Sequence, residues 1–216
     1  MKFRYFPDYL QASKNKKYIT DNEKVCKAIN LKHTDSDLIL DGGNLVKGKD
    51  WVIMTSKIFK ENPKYSEKHL LQELENLLQV SKLIIIPQEP DDKIGHSDGI
   101  VRYYDEDTEL INDYFHEKGD FPVAFRMALH NAGLNYLEVP YNPYKNRKYD
   151  EAHGLYINFL EMANYILLPV FDLPSDDLTV KQFQELYKDI TVRTIHAREI
   201  SKDGGVLNCC TWNVRR

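Results

Sequence analysis

The sequence contains little cysteine and no long hydrophobic run. Three cysteines occur among the 216 residues, Cys26, Cys209 and Cys210. This odd, sparse number excludes a disulfide framework and favours a reducing compartment. Apolar runs such as 83–86, which ends at Pro87, are far too short to cross a bilayer. The N-terminal stretch is charged and aromatic, without the apolar centre of a signal peptide. We therefore expect a cytoplasmic protein that does not span a membrane.

An excess of positive charge is also missing. Lys plus Arg is 29 and Asp plus Glu is 33, which gives a formal net charge of −4. A general nucleic-acid binder is normally basic, so we expect no nucleic-acid partner. Hydrophobic residues make up 42% and charged residues 29%, which is enough apolar material for a core and argues against a disordered chain. The length predicts a single domain over 1–216.

Short apolar runs bounded by Gly, Pro, Asn or Asp alternate with segments of helical periodicity. We predict strands at 37–40, 51–55, 82–87, 99–103, 135–139, 155–160, 165–170, 190–195 and 206–210. We predict helices at 66–79, 107–118, 122–132 and 179–187. The first of these helices has the clearest signals, because Ser66 suits the N-cap and leucines then recur at helical spacing. This order predicts an α/β (α+β) fold in which a strand–helix–strand unit recurs.

Two of four unusual polar segments carry carboxylates. The segment 41–44 reads Asp-Gly-Gly-Asn directly after a predicted strand; it is either a hairpin turn or a backbone that approaches a ligand closely. In the second segment, His96 and Asp98 are two residues apart and point to the same side if the chain is extended. This segment is a polar loop, an acid–base site, or a metal site with Asp91 and Asp92, although the ligands match no specific metal spacing.

The other two segments carry an amide and thiols. Asn158 interrupts an aromatic and aliphatic strand, so its buried amide needs backbone groups or a ligand as partners. The segment 203–211 reads Asp-Gly-Gly-Val-Leu-Asn-Cys-Cys-Thr. Adjacent thiols alternate faces in a strand, so at most one of Cys209 and Cys210 faces a given pocket, and an inert buried Cys is the commoner case.

One pocket lined by a thiol, an imidazole and several carboxylates would have a distinctive preference. A thiolate beside His is a nucleophile with an acid–base partner. Nearby carboxylates repel a thiolate unless the substrate is a cation. Two carboxylates can grip a planar guanidinium bidentately, so such a site suits a guanidinium or ammonium substrate.

In this order the four segments resemble the agmatine deiminase and bacterial-type (Porphyromonas-type) peptidylarginine deiminase family, from about Phe3 to Trp212. The segment 203–211 is similar to the family's Gly-rich strand, in which a catalytic Cys is followed two residues later by Thr. The resemblance implies the pentein-type α/β propeller. It also implies that Cys209 is the nucleophile and that Cys210 faces the core.

The resemblance assigns roles to the other segments. The run Gly-His-Ser-Asp resembles the family's Gly-His-x-Asp signature, which implies that His96 is the general acid/base and Asp98 a guanidinium ligand. The catalytic residues implied by the resemblance are therefore Cys209, His96 and Asp98. The run Tyr-Ile-Asn-Phe resembles the strand whose Asn lies near the substrate, and the Asp-Gly-Gly turn resembles an element at the rim of the site. The substrate-binding candidates are Asn158, Asp41, Asp92 and Gly205.

One departure from the family pattern affects the prediction of activity. The family's N-terminal module carries an Arg-Asp-x-Gly motif whose Asp is a second guanidinium ligand, and this motif does not occur here. We expect an N-terminally shortened propeller with roughly four of five ββαβ units. The uncovered strand edges would favour self-association or a complementing chain. Activity would be reduced unless Asp41 or Asp92 replaces the lost acid.

The resemblance implies a deiminase that hydrolyses agmatine to N-carbamoylputrescine and ammonia, as in putrescine and polyamine synthesis, or an arginine to citrulline. The partner is then a small cationic guanidino substrate, and no metal or organic cofactor is needed. One alternative is a catalytically impaired pentein-fold binding or partner protein. Another is a metal-dependent hydrolase that uses Asp91, Asp92, His96 and Asp98.

Overall fold

A computed structural model describes residues 1–141 and 152–212. The chain divides into two compact units. Unit 1 comprises Met1–Gln88 and Lys93–Ser97, and unit 2 comprises Glu89–Asp92 and Asp98–Arg216. The single domain over 1–216 stays a prediction. In the described residues, no helix has both the length and the apolar character that crossing a bilayer requires.

Unit 1 begins with two parallel strands joined by a helix. These elements are β1 (Lys2–Arg4), α1 (Asn22–Ala28) and β2 (Asp35–Ile39). Lys2 pairs with Asp35 across the two strands. The side chain of Asp21 caps α1 by accepting a hydrogen bond from the backbone N–H of Lys24, which satisfies one of the unpaired donors at the helix start.

The rest of unit 1 forms a three-stranded sheet with two helices. Its elements are β3 (Val46–Lys47), β4 (Trp51–Thr55), α2 (Lys57–Glu61), α3 (Glu67–Leu78) and β5 (Lys82–Ile86). Strand β4 runs antiparallel to β3 and parallel to β5. Ser66 caps α3, and Leu70 and Leu74 pack into a core with Leu38, Met54 and Ile58. This explains the apolar face of the helix.

Unit 2 contains two further sheets with the same connectivity. The first has β6 (Val101–Tyr103), β7 (Thr108–Asn112), α4 (Phe121–Ala132) and β8 (Asn135–Val139). The second has β9 (Leu160–Met162), β10 (Tyr165–Val170), α5 (Asp176–Leu186) and β11 (Thr191–His196). In each sheet the central strand is antiparallel to the preceding strand and parallel to the following one. Tyr156, Phe159, Phe171 and Phe183 lie in one aromatic core.

The recurring unit predicted from the sequence is confirmed in these sheets. Among residues 1–141 and 152–212, the same ββαβ arrangement occurs in all three three-stranded sheets, and β1–α1–β2 has the βαβ part alone. The α/β class is likewise confirmed. Three strands begin and end where the sequence places them: Trp51–Thr55, Asn135–Val139 and Tyr165–Val170.

Three predicted elements are wrong. The helix over 107–118 is instead β7 followed by turns, because Leu110 and Ile111 are buried between β6 and β8. The predicted strand over 155–160 is a series of buried turns up to its last residue, where β9 begins. The predicted strand over 206–210 is a tight turn, in which the backbone N–H of Cys210 donates to Leu207 O at 3.3 Å.

Candidate active site

The thiol of Cys209 lies in a turn of unit 2 that glycines make possible. Gly204 ends the short 3-10 helix Ile200–Asp203 with φ of 85°, a conformation that favours glycine. A Cβ atom on Gly205 would lie 2.9 Å from Cys209 Cβ and 3.4 Å from its Sγ. Gly205, predicted to bind substrate, is therefore the residue whose missing side chain admits the thiol.

The amide of Asn158 holds this turn in place. Asn158 is fully buried, and its Oδ1 accepts hydrogen bonds from the backbone N–H groups of Val206 and Cys209, both at 3.2 Å. Its Nδ2 donates to Cys209 Sγ at 3.2 Å, and its backbone carbonyl accepts from the N–H of Asn208 at 3.1 Å. The buried amide thus has the partners that burial demands, and these partners fix the sulfur.

The carboxylate of Asp98 lies on another side of the sulfur. Asp98 is 5% exposed, and its Oδ2 accepts from Asn208 Nδ2 at 2.8 Å and lies 3.7 Å from Cys209 Sγ. Although Cys209 is exposed as a residue, burial of its sulfur and then the Asp98 charge raise the pKa of the thiol to about 12. At neutral pH the sulfur is therefore protonated and can donate its proton to Asp98.

A half-buried cation completes this thiol cluster. Arg102, on β6, donates from Nη1 to Asn208 Oδ1 at 2.5 Å. Its guanidinium lies over the Phe159 ring, with Cζ 4.7 Å from the ring centroid. Burial lowers the pKa of Arg102, whereas the charges of Glu161 and then Asp98 raise it. An Arg side chain stays charged under such shifts, so the cluster holds a permanent positive charge.

The imidazole of His96 lies in a second cluster, in unit 1. His96 Nε2 is 3.0 Å from Asp41 Oδ2, and Tyr9 Oη donates to the same oxygen at 3.3 Å. The side chain of Asp41 is 2% exposed and that of His96 is 16% exposed. A carboxylate at one ring nitrogen fixes the tautomer and orientation of the ring, which an acid–base group needs. A Cβ atom on Gly43 would lie 2.4 Å from His96 Nδ1, so the Asp-Gly-Gly segment gives the ring its space.

The loop before His96 is tied down by buried polar side chains of unit 1. Lys57, 2% exposed, donates from Nζ to Ile94 O at 2.6 Å, and Thr55 Oγ1 donates to Gly95 O at 2.6 Å. Lys57 also pairs with Asp8 at 3.0 Å. These bonds hold the loop from one side and so limit the positions that the imidazole can take.

The structure therefore distributes the predicted site residues between the two units. Unit 2 brings together Cys209, Asp98, Asn158 and Gly205, and unit 1 brings together His96 and Asp41. Asp92 lies in the short segment Glu89–Asp92 of unit 2, where its backbone N–H donates to Glu89 O. The expectation that Cys210 faces the core is wrong, because in a turn, rather than a strand, this residue is exposed.

Three residues that the structure adds to these clusters were not predicted: Arg102, Asn208 and Tyr9. Arg102 is the one cation in the apolar strand candidate 99–103, and a charge in such a strand indicates that it has a polar partner. Asn208 directly precedes the nucleophile candidate, yet nothing in a local pattern reveals its bond to Asp98. Tyr9 carries no signal in the sequence, since it lies 87 residues before His96, the residue whose ring it contacts.

One group of three side chains could hold a metal ion in the part of the chain that the structure describes. Among residues 1–141 and 152–212, the group with ligand atoms within 4.8 Å of one another is Glu23, His33 and Asp35. Lys2 Nζ already forms ion pairs with Glu23 and Asp35 there. The group shares no residue with the set Asp91, Asp92, His96 and Asp98 that the sequence offered as metal ligands.

Comparisons with known proteins place these clusters in a family context. The sequence profile named Porphyromonas-type peptidyl-arginine deiminase matches residues 2–214. A curated protein of Mycoplasma capricolum named "Putative agmatine deiminase" is 25% identical over 221 residues, with 87% of this chain and 60% of that protein covered. The chain thus spans about three fifths of the length of this relative.

Solved structures show the same fold. The C. jejuni agmatine deiminase superposes with a TM-score of 0.78 at 19% identity, covering 96% of this chain and 65% of that one. The agmatine deiminase of Enterococcus faecalis gives a TM-score of 0.76 at 17% identity, with 95% and 66% covered. A dimethylarginine dimethylaminohydrolase gives a TM-score of 0.53 at 13% identity, covering 87% and 63%. The pentein-type α/β fold expected from the sequence is therefore confirmed.

Proposed function

Because the chain belongs to the Porphyromonas-type peptidyl-arginine deiminase family, we propose that it hydrolyses a guanidinium group through a covalent intermediate on Cys209. The observation that carries this proposal is the contact of Cys209 Sγ with the Asp98 carboxylate at 3.7 Å and the Asn158 amide at 3.2 Å. A thiol between an anion and an amide donor is arranged to meet a flat cation. Asp98 binds the cation and Asn158 stabilises the sulfur.

The raised pKa of the thiol supports a substrate-assisted mechanism. In the absence of substrate, burial and the Asp98 charge keep Cys209 protonated. A bound guanidinium neutralises the Asp98 charge and adds a positive charge beside the sulfur, and both effects lower the pKa of the thiol. The cation that is to be attacked therefore activates its own nucleophile.

The bond changes follow from these groups. The thiol proton passes to a guanidinium nitrogen, the Sγ–C bond forms, and the C–N bond breaks to release ammonia. A positively charged thiouronium remains on Cys209. A general base, the role that the sequence resemblance gives to His96, whose ring contacts Asp41 at 3.0 Å, then takes a proton from water, and the hydroxide attacks the carbon. Collapse breaks the S–C bond, the hydroxyl proton returns to the sulfur to regenerate the thiol, and the ureido product leaves. The proton taken from water is released to solvent.

Agmatine is the first substrate to test. The relatives and solved structures matched by this chain include several named agmatine deiminases, and agmatine would give N-carbamoylputrescine and ammonia. Arginine, free or in a peptide, is the second and would give citrulline. The guanidinium group is common to both, so the cluster around Cys209 treats them alike, and the groups that bind the rest of the substrate decide between them.

The test is ammonia release from agmatine and from arginine by the wild-type chain and by Cys209→Ala. Cys210→Ala is the matched control, since it removes the neighbouring thiol, which is exposed and contacts neither Asp98 nor Asn158 in the bonds described above. We expect activity to be lost in Cys209→Ala and kept in Cys210→Ala. Equal ammonia release by the wild type and Cys209→Ala would remove Cys209 from the reaction.

A second candidate is a guanidino-binding protein without turnover, which the high pKa of the resting thiol favours. In that case agmatine would bind with the same affinity to the wild type and to Cys209→Ala, and neither would release ammonia. Calorimetry and the ammonia assay on the same samples separate the two candidates.

A further inference from the structure

The thiol cluster contains a cation that the proposed chemistry does not use. Arg102 lies on β6 with its guanidinium over the Phe159 ring, 4.7 Å from Cζ to the ring centroid. Burying a charge is costly unless the charge is paired or hydrogen-bonded. The acids that attract this charge are Glu161 and Asp98, and Arg102 donates its hydrogen bond to Asn208, whose amide lies between Arg102 and Asp98.

The Asn208 amide connects the cation to the acid in one orientation. A guanidinium can only donate hydrogen bonds, so Arg102 must face the carbonyl oxygen of the amide, Oδ1. The NH₂ group of Asn208 is then turned towards Asp98 and donates to Oδ2 at 2.8 Å. If the amide were flipped, its NH₂ group would face the N–H donors of Arg102, and its oxygen would face the carboxylate oxygen of Asp98. Arg102 therefore fixes which end of the amide meets the carboxylate.

The same Asp98 oxygen is the one beside the nucleophile. Oδ2 accepts from Asn208 and lies 3.7 Å from Cys209 Sγ, so a change in the Asn208 amide acts on the carboxylate that controls the thiol proton. The route is continuous within unit 2: Arg102, Asn208, Asp98, Cys209.

We propose that Arg102 is a positioning residue that acts through Asn208: it locks the amide, orients Asp98 towards the substrate cation, and supplies positive charge that favours the Cys209 thiolate. The inference rests on the proposed function for its meaning, but its central claim concerns the thiol and does not require turnover. Arg102 does not attack, protonate or bind the reacting carbon.

The test is the pH dependence of Cys209 alkylation by iodoacetamide, followed at that residue by peptide mass spectrometry in a Cys210→Ser background. We expect Arg102→Met to slow alkylation about 3-fold to about 30-fold at a fixed pH, because loss of the positive charge raises the pKa of the thiol. Arg102→Lys keeps the charge and a donor and should restore most of the rate. Arg193→Met is the matched control, since Arg193 is exposed and lies over the Tyr165 ring at 5.4 Å.

A double-mutant cycle tests whether Arg102 acts through the amide. Asn208→Leu removes the amide from a half-buried turn position, so it should fold even if Arg102→Met does not. We expect Asn208→Leu to lower the agmatine kcat/KM about 10-fold to about 100-fold. The double variant Arg102→Met/Asn208→Leu should lose no more of this kcat/KM than Asn208→Leu alone. Independent, additive losses would overturn the route through Asn208. An alkylation profile of Arg102→Met equal to that of wild type would overturn the proposal itself.

The two levels of proposal fail separately. If the wild-type chain releases no ammonia, the deiminase function is wrong, yet the alkylation profiles of Arg102→Met, Arg102→Lys and Asn208→Leu still decide whether Arg102 sets the state of the thiol. If ammonia is released and these profiles all match wild type, only the role of Arg102 is wrong.

Discussion

Replacing Asp98 with Asn should make the thiol of Cys209 more reactive while abolishing catalysis. The two effects have opposite sign because Asp98 has two roles: it raises the pKa of the resting thiol to about 12 together with burial, and it binds the substrate cation in the proposed mechanism. Asn has nearly the same shape as Asp, so the substitution removes the charge with little change in packing.

The size of the first effect follows from the 3.7 Å separation between Cys209 Sγ and Asp98 Oδ2. Two unit charges at that distance repel by about 1 kcal/mol in a water-like medium and by about 4.5 kcal/mol at an effective dielectric constant of about 20. Because a thiol loses intrinsic nucleophilicity as its pKa falls, only about half of that gain appears in the rate. We expect alkylation to be about 3-fold to about 45-fold faster.

The assay is iodoacetamide labelling of Cys209 near neutral pH in a Cys210→Ser background, with and without agmatine. Asp177→Asn, at an exposed position in the first turn of α5, makes the same change in net charge and should label at the wild-type rate. Agmatine should accelerate labelling in the wild type, where it neutralises Asp98, and should not do so in Asp98→Asn. Slower or unchanged labelling in Asp98→Asn relative to Asp177→Asn would refute this account of the thiol.

Three further variants test other contacts. Gly205→Ala should lower the rate of ammonia release at least about tenfold, because its Cβ would lie 2.9 Å from Cys209 Cβ. Gly42→Ala is the control and should keep the wild-type rate, because its Cβ would have no atom within 4 Å. Equal rates for the two variants would contradict the packing argument. Asp41→Asn should lower kcat about 10-fold to about 100-fold, with KM little changed, by releasing the His96 imidazole that we propose as the acid–base group; a change confined to KM would exclude that role. Burial raises the pKa of Glu109 from 4.5 to about 9, so the native state holds a proton that the unfolded state loses, and stability falls as pH rises between these values. Glu109→Gln should abolish this loss in thermal unfolding at about pH 6 and about pH 8.5, and an unchanged slope would contradict it.

Much of the fold was predictable because its strands are short runs of apolar residues between turn-forming residues. The failure at 107–118 is instructive. The sequence predicts a helix there, yet Glu109 is fully buried within β7. A buried carboxyl contradicts the usual link between charge and exposure, and only the pairing of β7 with both neighbouring strands reveals it.

The candidate site was predictable in part, for a related reason. Cys209, Asp98 and Asn158 stand in short segments with recognisable residue order, so their identities could be chosen from the sequence. Their geometry could not, because the turns at 155–159 and 206–210 are held by one side-chain amide rather than by a strand ladder. A local pattern contains no information about a bond between residues far apart in the chain, such as that of Arg102 with Asn208.

The protonated state of Cys209 also has a consequence for the survival of the protein under oxidative stress. Peroxides attack the thiolate, and the first product, a sulfenic acid, goes on to irreversible sulfinic and sulfonic acids. Burial and Asp98 at 3.7 Å hold the sulfur in its thiol form. In the proposed mechanism, Cys209 is therefore protected from that damage until a cation occupies the site. Hydrogen peroxide should therefore oxidise Cys209 more slowly in the absence of agmatine than in the presence of saturating agmatine.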